Sequence, residues 1–240
     1  MRRVREPFVA RWYNTAFVAN AGETIKEIDR ENAMANDLKT ENTRSVYYIL
    51  TASLVLSALF QIDLESANRV MEFVVAGTGS VILSAVLVLI ANLMPQTLKH
   101  KLVFTRLKNE LPACRVDRLC KSDPRIELAS VETRWPDIFE HNVSGAVRNS
   151  IWYQQIYKPV KDMPEVRQAH RGFLLYRDAF SGLLLILTAT LILSWVGEPH
   201  FLGEIKTEVF LVQVTLVLLS MIASRVAGNR FVINAVVAAV

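Results

Sequence analysis

Apolar residues in this chain fall into four blocks, Val46 to Ile62, Phe73 to Met94, Ala179 to Val196 and Ile205 to Ala223, instead of recurring at helix or strand period along its whole length. A bilayer core of about 30 Å takes roughly 20 helical residues to cross. With their weakly polar flanks the four blocks are near that length. They predict an all-α integral membrane protein with four transmembrane helices, arranged as two hairpins around a cytoplasmic helical segment. No ionisable residue lies near the centre of any block, and such residues would mark a proton or ion path. Lys206 and Glu208 sit at one edge of the fourth block, and Arg177 and Asp178 at one edge of the third, where long side chains are expected to reach the interface.

Basic residues are spread unevenly between these blocks. The connectors Asp63 to Glu72 and Gly197 to Glu204 hold Arg69 as their only Lys or Arg, whereas the first 45 residues hold eight and Pro95 to Asp178 holds fifteen. The positive-inside rule then places both connectors outside and the N-terminus and middle segment in the cytoplasm. An even number of crossings returns the C-terminus to the same side, in agreement with Arg225 and Arg230. The expected organisation is a cytoplasmic N-terminal helical region over 1–45, a first hairpin over 46–94, a cytoplasmic helical domain over 95–178, a second hairpin over 179–223, and a cytoplasmic or interfacial helix over 224–240.

Local patterns refine this plan. Glu23 to Thr43 has Ile25, Ile28, Ala35 and Leu38 at roughly helical spacing and neither Pro nor Gly, so a helix is expected to lead into the first crossing. Gln96 to Leu111 reads as a basic amphipathic helix, with Leu98, Leu102, Leu107 and Leu111 on one side and Lys99, Lys101, Arg106 and Lys108 on the other. Pro112 to His141 is expected to be loop-rich with one or two short helices, and Ser144 to Tyr157 to be a buried helix. Asp162-Met163-Pro164-Glu165 has the composition of a helix start, and no breaker except Gly172 follows before the third crossing. One helix from Pro164 to about Val196 is therefore expected. Arg2, Arg3 and Arg5 precede a partly apolar stretch in the manner of a targeting segment, but Arg11 to Asn14 interrupt it, and retention of the N-terminus is expected.

Small and hydroxyl residues recur four apart inside the blocks: Ser53 and Ser57 in the first, Ala76, Ser80 and Ser84 in the second, and Ser220, Ser224 and Gly228 across the end of the fourth. Such stripes let helix backbones approach in a bilayer, where apolar burial alone does not distinguish protein from lipid. With Gln213 they are the candidates for helix packing or for lining a pore. Arg148, Trp152, Tyr153, Tyr157, Arg167, His170 and Arg171 form the most distinctive polar stretch. Arg beside aromatic rings suits an anionic or planar ligand or a cytoplasmic protein, and equally suits an anchoring belt at the membrane face.

Candidate chemistry is otherwise sparse. Cys114 and Cys120 sit in the segment assigned to the cytoplasm, where thiols stay reduced. No metal site, cofactor or catalytic residue is expected, since the four His are scattered and Arg134 and His141, six apart, have Pro136 between them. The formal net charge of +4 is explained by membrane-flanking basic residues, so nucleic acid is not an expected partner.

Two membrane hairpins around a cytoplasmic helical segment resemble, in layout only, small membrane effectors of bacterial conflict systems. The expectation is a non-enzymatic, homo-oligomeric protein of the bacterial inner membrane, a pore-forming or permeability effector controlled by its cytoplasmic segment. A non-pore adaptor or assembly factor, a small transporter and a membrane-embedded enzyme are the competing classes.

Overall fold

A computed structural model describes residues 41–61, 69–196 and 204–240, without the side chains of 69–77. The expected helix before residue 41, most of both connectors and the Ala76 side chain lie outside the described residues. Among the described residues every regular element is helical. The long elements are α1 (Glu41–Gln61), α2 (Arg69–Leu93), α9 (Pro164–Val196) and α10 (Thr207–Ala239). Between α2 and α9 lie α3 (Gln96–Phe104), a 3-10 turn (Pro112–Arg115), α4 (Val116–Ser122), α5 (Leu128–Arg134), α6 (Pro136–Phe139), α7 (Gly145–Ile151), a π-helical turn (Trp152–Tyr157) and α8 (Lys158–Val160).

Among the described residues three helices, α1, α9 and α10, are long and apolar enough to cross a membrane; a fourth span counts if Thr78–Leu93 of α2 and α3 are taken together. Those two are bent by 98°, at the break that holds Pro95. Proline lacks the N–H that would continue the ladder, and it disfavours helical backbone in the residue before it.

The spans pack through the small residues. Helix α1 runs alongside α9. The Asn42 Nδ2 donates to the Arg171 carbonyl at 2.8 Å, Leu50 sits over Gly182, and Gln61 Nε2 donates to the Glu204 carbonyl at 2.7 Å. A Cβ at Gly182 would meet Leu50 Cδ1 at 2.6 Å, so the glycine is what permits this approach. Gly228 plays the same part on α10, where a Cβ would meet the Phe104 and Phe173 rings at 3.0 and 3.1 Å.

Three expectations are corrected. The helix expected over Gln96 to Leu111 stops at Phe104, because Thr105 turns into the left-handed region (φ 48°). Its sides are also partly exchanged: Lys99 is fully buried and Leu98 and Leu107 are exposed, while Arg106 and Lys108 are exposed and Leu102 and Leu111 half-buried. The piece 224–240 is no separate helix, since α10 continues unbroken through it, and Phe231, Val232, Ile233, Ala235 and Val236 are buried against the rest of the fold. The stretch Pro112 to His141 carries a 3-10 turn and three short helices, more order than its prolines suggest. Pro112 and Pro136 each open an element, at the position where a missing N–H costs nothing. Helix α9 has the bounds its sequence suggests.

Candidate functional site

Two clusters of polar and aromatic side chains are built where the short helices 96–163 meet α9 and α10. The first is aromatic. Residues five apart on an α-helix point in different directions, but the i→i+5 pattern of a π-turn nearly aligns them. Trp152 and Tyr157 accordingly stack, with centroids 5.4 Å apart and planes at 12°. Both rings stand edge-on to Phe231 of α10. His170 of α9 stacks on that same Phe231 at 4.5 Å, and its Nδ1 lies 3.1 Å from the Tyr157 hydroxyl. The Trp152 Nε1–H donates to the Val232 carbonyl at 3.3 Å. The rings thus join the π-turn, α9 and α10 in one packed unit.

The second cluster is ionic and was not anticipated. Asp178 Oδ1 accepts from Lys99 Nζ at 2.8 Å and from Arg177 Nη2 and Nε at 3.0 and 3.1 Å. All three residues are buried, Lys99 completely. Arg177 Nη1 is 3.2 Å from His100 Nε2, and His100 stacks on Phe173. A guanidinium only donates, so His100 Nε2 is the lone-pair nitrogen of its ring. One carboxylate therefore serves two cations beside a neutral acceptor. Arg177 and Asp178 turn inward here instead of reaching to the interface, which corrects the sequence expectation. The adjacency of an Arg–Asp pair to an apolar block was visible in the sequence; the inward face of Lys99 was not.

The seven residues of the distinctive polar stretch do not form one surface. Trp152, Tyr157 and His170 are the aromatic cluster itself, and Tyr153 flanks it with the Lys158 ammonium 5.8 Å from its ring centre. Arg148 is a clamp within the fold: its Nε and Nη2 donate to the carbonyls of Ile138 and Glu140 at 2.8 and 2.9 Å, and Asp117 lies 3.6 Å away. Arg167 and Arg171 are exposed on α9, where Arg171 Nε donates to Asn42 Oδ1 at 3.3 Å. Arg134 donates to the carbonyls of Ala239 and Val240, not towards His141.

Of the hydroxyl stripes, Ser53, Ser57, Ser80, Ser84 and Ser224 are buried, as is Gln213, and Ser220 is half-buried. Ser57 and Ser84 donate to the carbonyls four residues earlier, Ser220 donates to the Val217 carbonyl, and Gln213 Nε2 donates to Ser57 Oγ at 3.3 Å. Ser53 Oγ, Thr51 Oγ1, Gln213 Oε1 and Ser224 Oγ are buried without a hydrogen-bond partner.

Both cysteines are free and buried. Burial, reinforced by Asp117 and Asp123, pushes the Cys120 thiol up to about 12, and burial raises Cys114 as well. Both are therefore thiols of low reactivity. Among the described residues no His, Cys, Asp and Glu group is placed to hold a metal ion.

Fold and clusters together define a helical protein with several helices long and apolar enough to span a bilayer, braced at one end by a cap of short helices. The chain matches no protein-family model, and neither the curated proteins nor the solved structures include one similar to it.

Proposed function

We propose that this chain is a multi-pass inner-membrane protein whose cytoplasmic cap controls the membrane helices, with a change of permeability in a homo-oligomer as the output. Membrane insertion is supported by the outer faces of α2, α9 and α10, where Ile82, Leu89, Leu191, Ile192, Leu211 and Leu219 are exposed while Ser, Gln and charged groups are buried. A soluble protein rarely shows so much contiguous apolar surface. Control by the cap is supported by α9 and α10, each of which is one unbroken helix from the cap into the apolar span.

The observation that carries the permeability reading is the set of unpartnered polar atoms on α1 and α10. A buried polar atom left without a partner costs about 1–3 kcal/mol. Separation of α1 from α10 that admits water would satisfy Ser53, Gln213 and Ser224 together. The non-pore adaptor is the second reading, favoured by the bonds that Ser57, Ser84 and Gln213 already make inside one protomer.

Reconstitution into dye-loaded liposomes separates the two. Release above that of empty vesicles, reduced by Gln213→Leu, is the expected result. Absence of release at every protein density would leave the adaptor reading.

A further inference from the structure

Helices α9 and α10 leave an open groove of about 590 Å³ between them on the face away from the aromatic cluster. Its lining changes character along its length. Leu219, Ile222 and Tyr176 line the end nearest the apolar spans, Arg230 lies further along, and Glu165 with Gln168 lies at the far end. Gly172 opens its floor, and a Cβ placed there meets nothing within 4 Å. Arg230 and Glu165 are both exposed, and neither makes a hydrogen bond or ion pair among the described residues.

We infer that this groove holds a zwitterionic phospholipid with a primary ammonium headgroup, its acyl chain along Tyr176 and Ile222, its phosphate on Arg230 and its ammonium on Glu165. The order of the groups is the argument. Moving out of a bilayer, such a lipid presents hydrocarbon, then phosphate, then ammonium, and the groove presents apolar surface, then a guanidinium, then a carboxylate. A guanidinium binds phosphate through paired N–H donors, and a carboxylate accepts the N–H donors of a primary ammonium, which a quaternary ammonium lacks.

The inference rests on the membrane insertion proposed above, and the two fail differently. Recovery of the protein in the soluble fraction would remove the insertion, whereas membrane-bound protein without headgroup preference removes only the lipid site. The experiment is native mass spectrometry of the full chain released from detergent containing equal phosphatidylethanolamine, phosphatidylcholine and phosphatidylglycerol. Phosphatidylethanolamine is expected to be retained about tenfold over the other two, and Arg230→Ala or Glu165→Gln to reduce that preference to near parity. Gly172→Leu projects into the groove from a position where a Cβ meets nothing within 4 Å, so it is expected to abolish retention while thermal unfolding stays close to that of the wild type. Equal retention of the three lipids, or retention unchanged by Gly172→Leu, overturns the proposal. So does a lipid-free dimer that Gly172→Leu dissociates, which would make a second copy the occupant.

Discussion

Lys99 and Asp178, 79 positions apart in sequence, form a 2.8 Å ion pair in which the lysine has no exposed surface. Removing one partner of a buried pair leaves an uncompensated charge, typically at a cost of about 3–5 kcal/mol. The two partners are not equivalent here, because Arg177 also binds Asp178. Lys99→Met leaves the carboxylate with one cation, but Asp178→Asn leaves two cations with no carboxylate. Asp178→Asn is expected to be the more damaging substitution in thermal unfolding of the detergent-solubilised protein, and the reverse order would remove the shared-carboxylate account.

Gly182→Ala brings a methyl within 2.6 Å of the Leu50 side chain, which is fully buried and has little room to retreat. Overpacking of this kind costs about 1–3 kcal/mol. Leu50→Ala in the same chain is expected to recover part of the loss. Strictly additive effects in a double-mutant cycle would show that the two residues are not in contact.

Phe231 touches Trp152, Tyr157, His170 and Phe173. Truncation to Ala should cost about 3–5 kcal/mol, and it should release the cap before the spans. Limited proteolysis reads this directly: new cleavage within 105–163 is expected in Phe231→Ala, with the apolar helices still protected.

The Cys120 thiol, held at about 12 by burial, gives a pH dependence with a definite sign. Its folded value lies above the ordinary 9.0, so the unfolded chain loses this proton first as pH rises. The stability contribution is complete below pH 9 and falls away between 9 and 12. Cys120→Ala should flatten that part of the profile, and iodoacetamide at pH 8 should label neither Cys114 nor Cys120 until the protein unfolds.

Arg148→Ala should destabilise the cap by about 1–3 kcal/mol through the abandoned carbonyls of Ile138 and Glu140. Arg148→Lys should recover less than half, since a lysine cannot reproduce the two-pronged donor geometry. Equal stability of the Ala variant and the wild type would return Arg148 to the list of ligand-binding candidates.

The sequence showed most where a local rule sufficed. Pro164 with Glu165 marks the start of α9 because a first-turn proline loses no hydrogen bond. It showed least where a distant partner decided the outcome. Pro95 marked the bend before Gln96, but the basic face drawn for Gln96 to Leu111 assumed one helix through Leu111, whereas the helix stops at Thr105 and Lys99 turns towards Asp178. The spacing of Arg148, Trp152 and His170 gave no indication that a π-turn would bury the tryptophan among rings and leave the arginine on backbone carbonyls. The stripe through Ser224 and Gly228 did indicate close packing, and the neighbours proved to include the Phe104 and Phe173 rings.

Because α9 is a single helix, Val166, Phe173, Arg177 and Phe180 face inward as one stripe that passes from the cap into the span. The two regions therefore share an angular phase as well as a connection. One residue inserted after Gly172 would turn the cap by about 100° relative to the span while moving it only about 1.5 Å. Seven inserted residues would move it about 10 Å yet bring the faces back to within about 20°. Comparing the two insertions would tell whether the long apolar helices, if they answer to the cap as proposed, answer to its rotation or to its height.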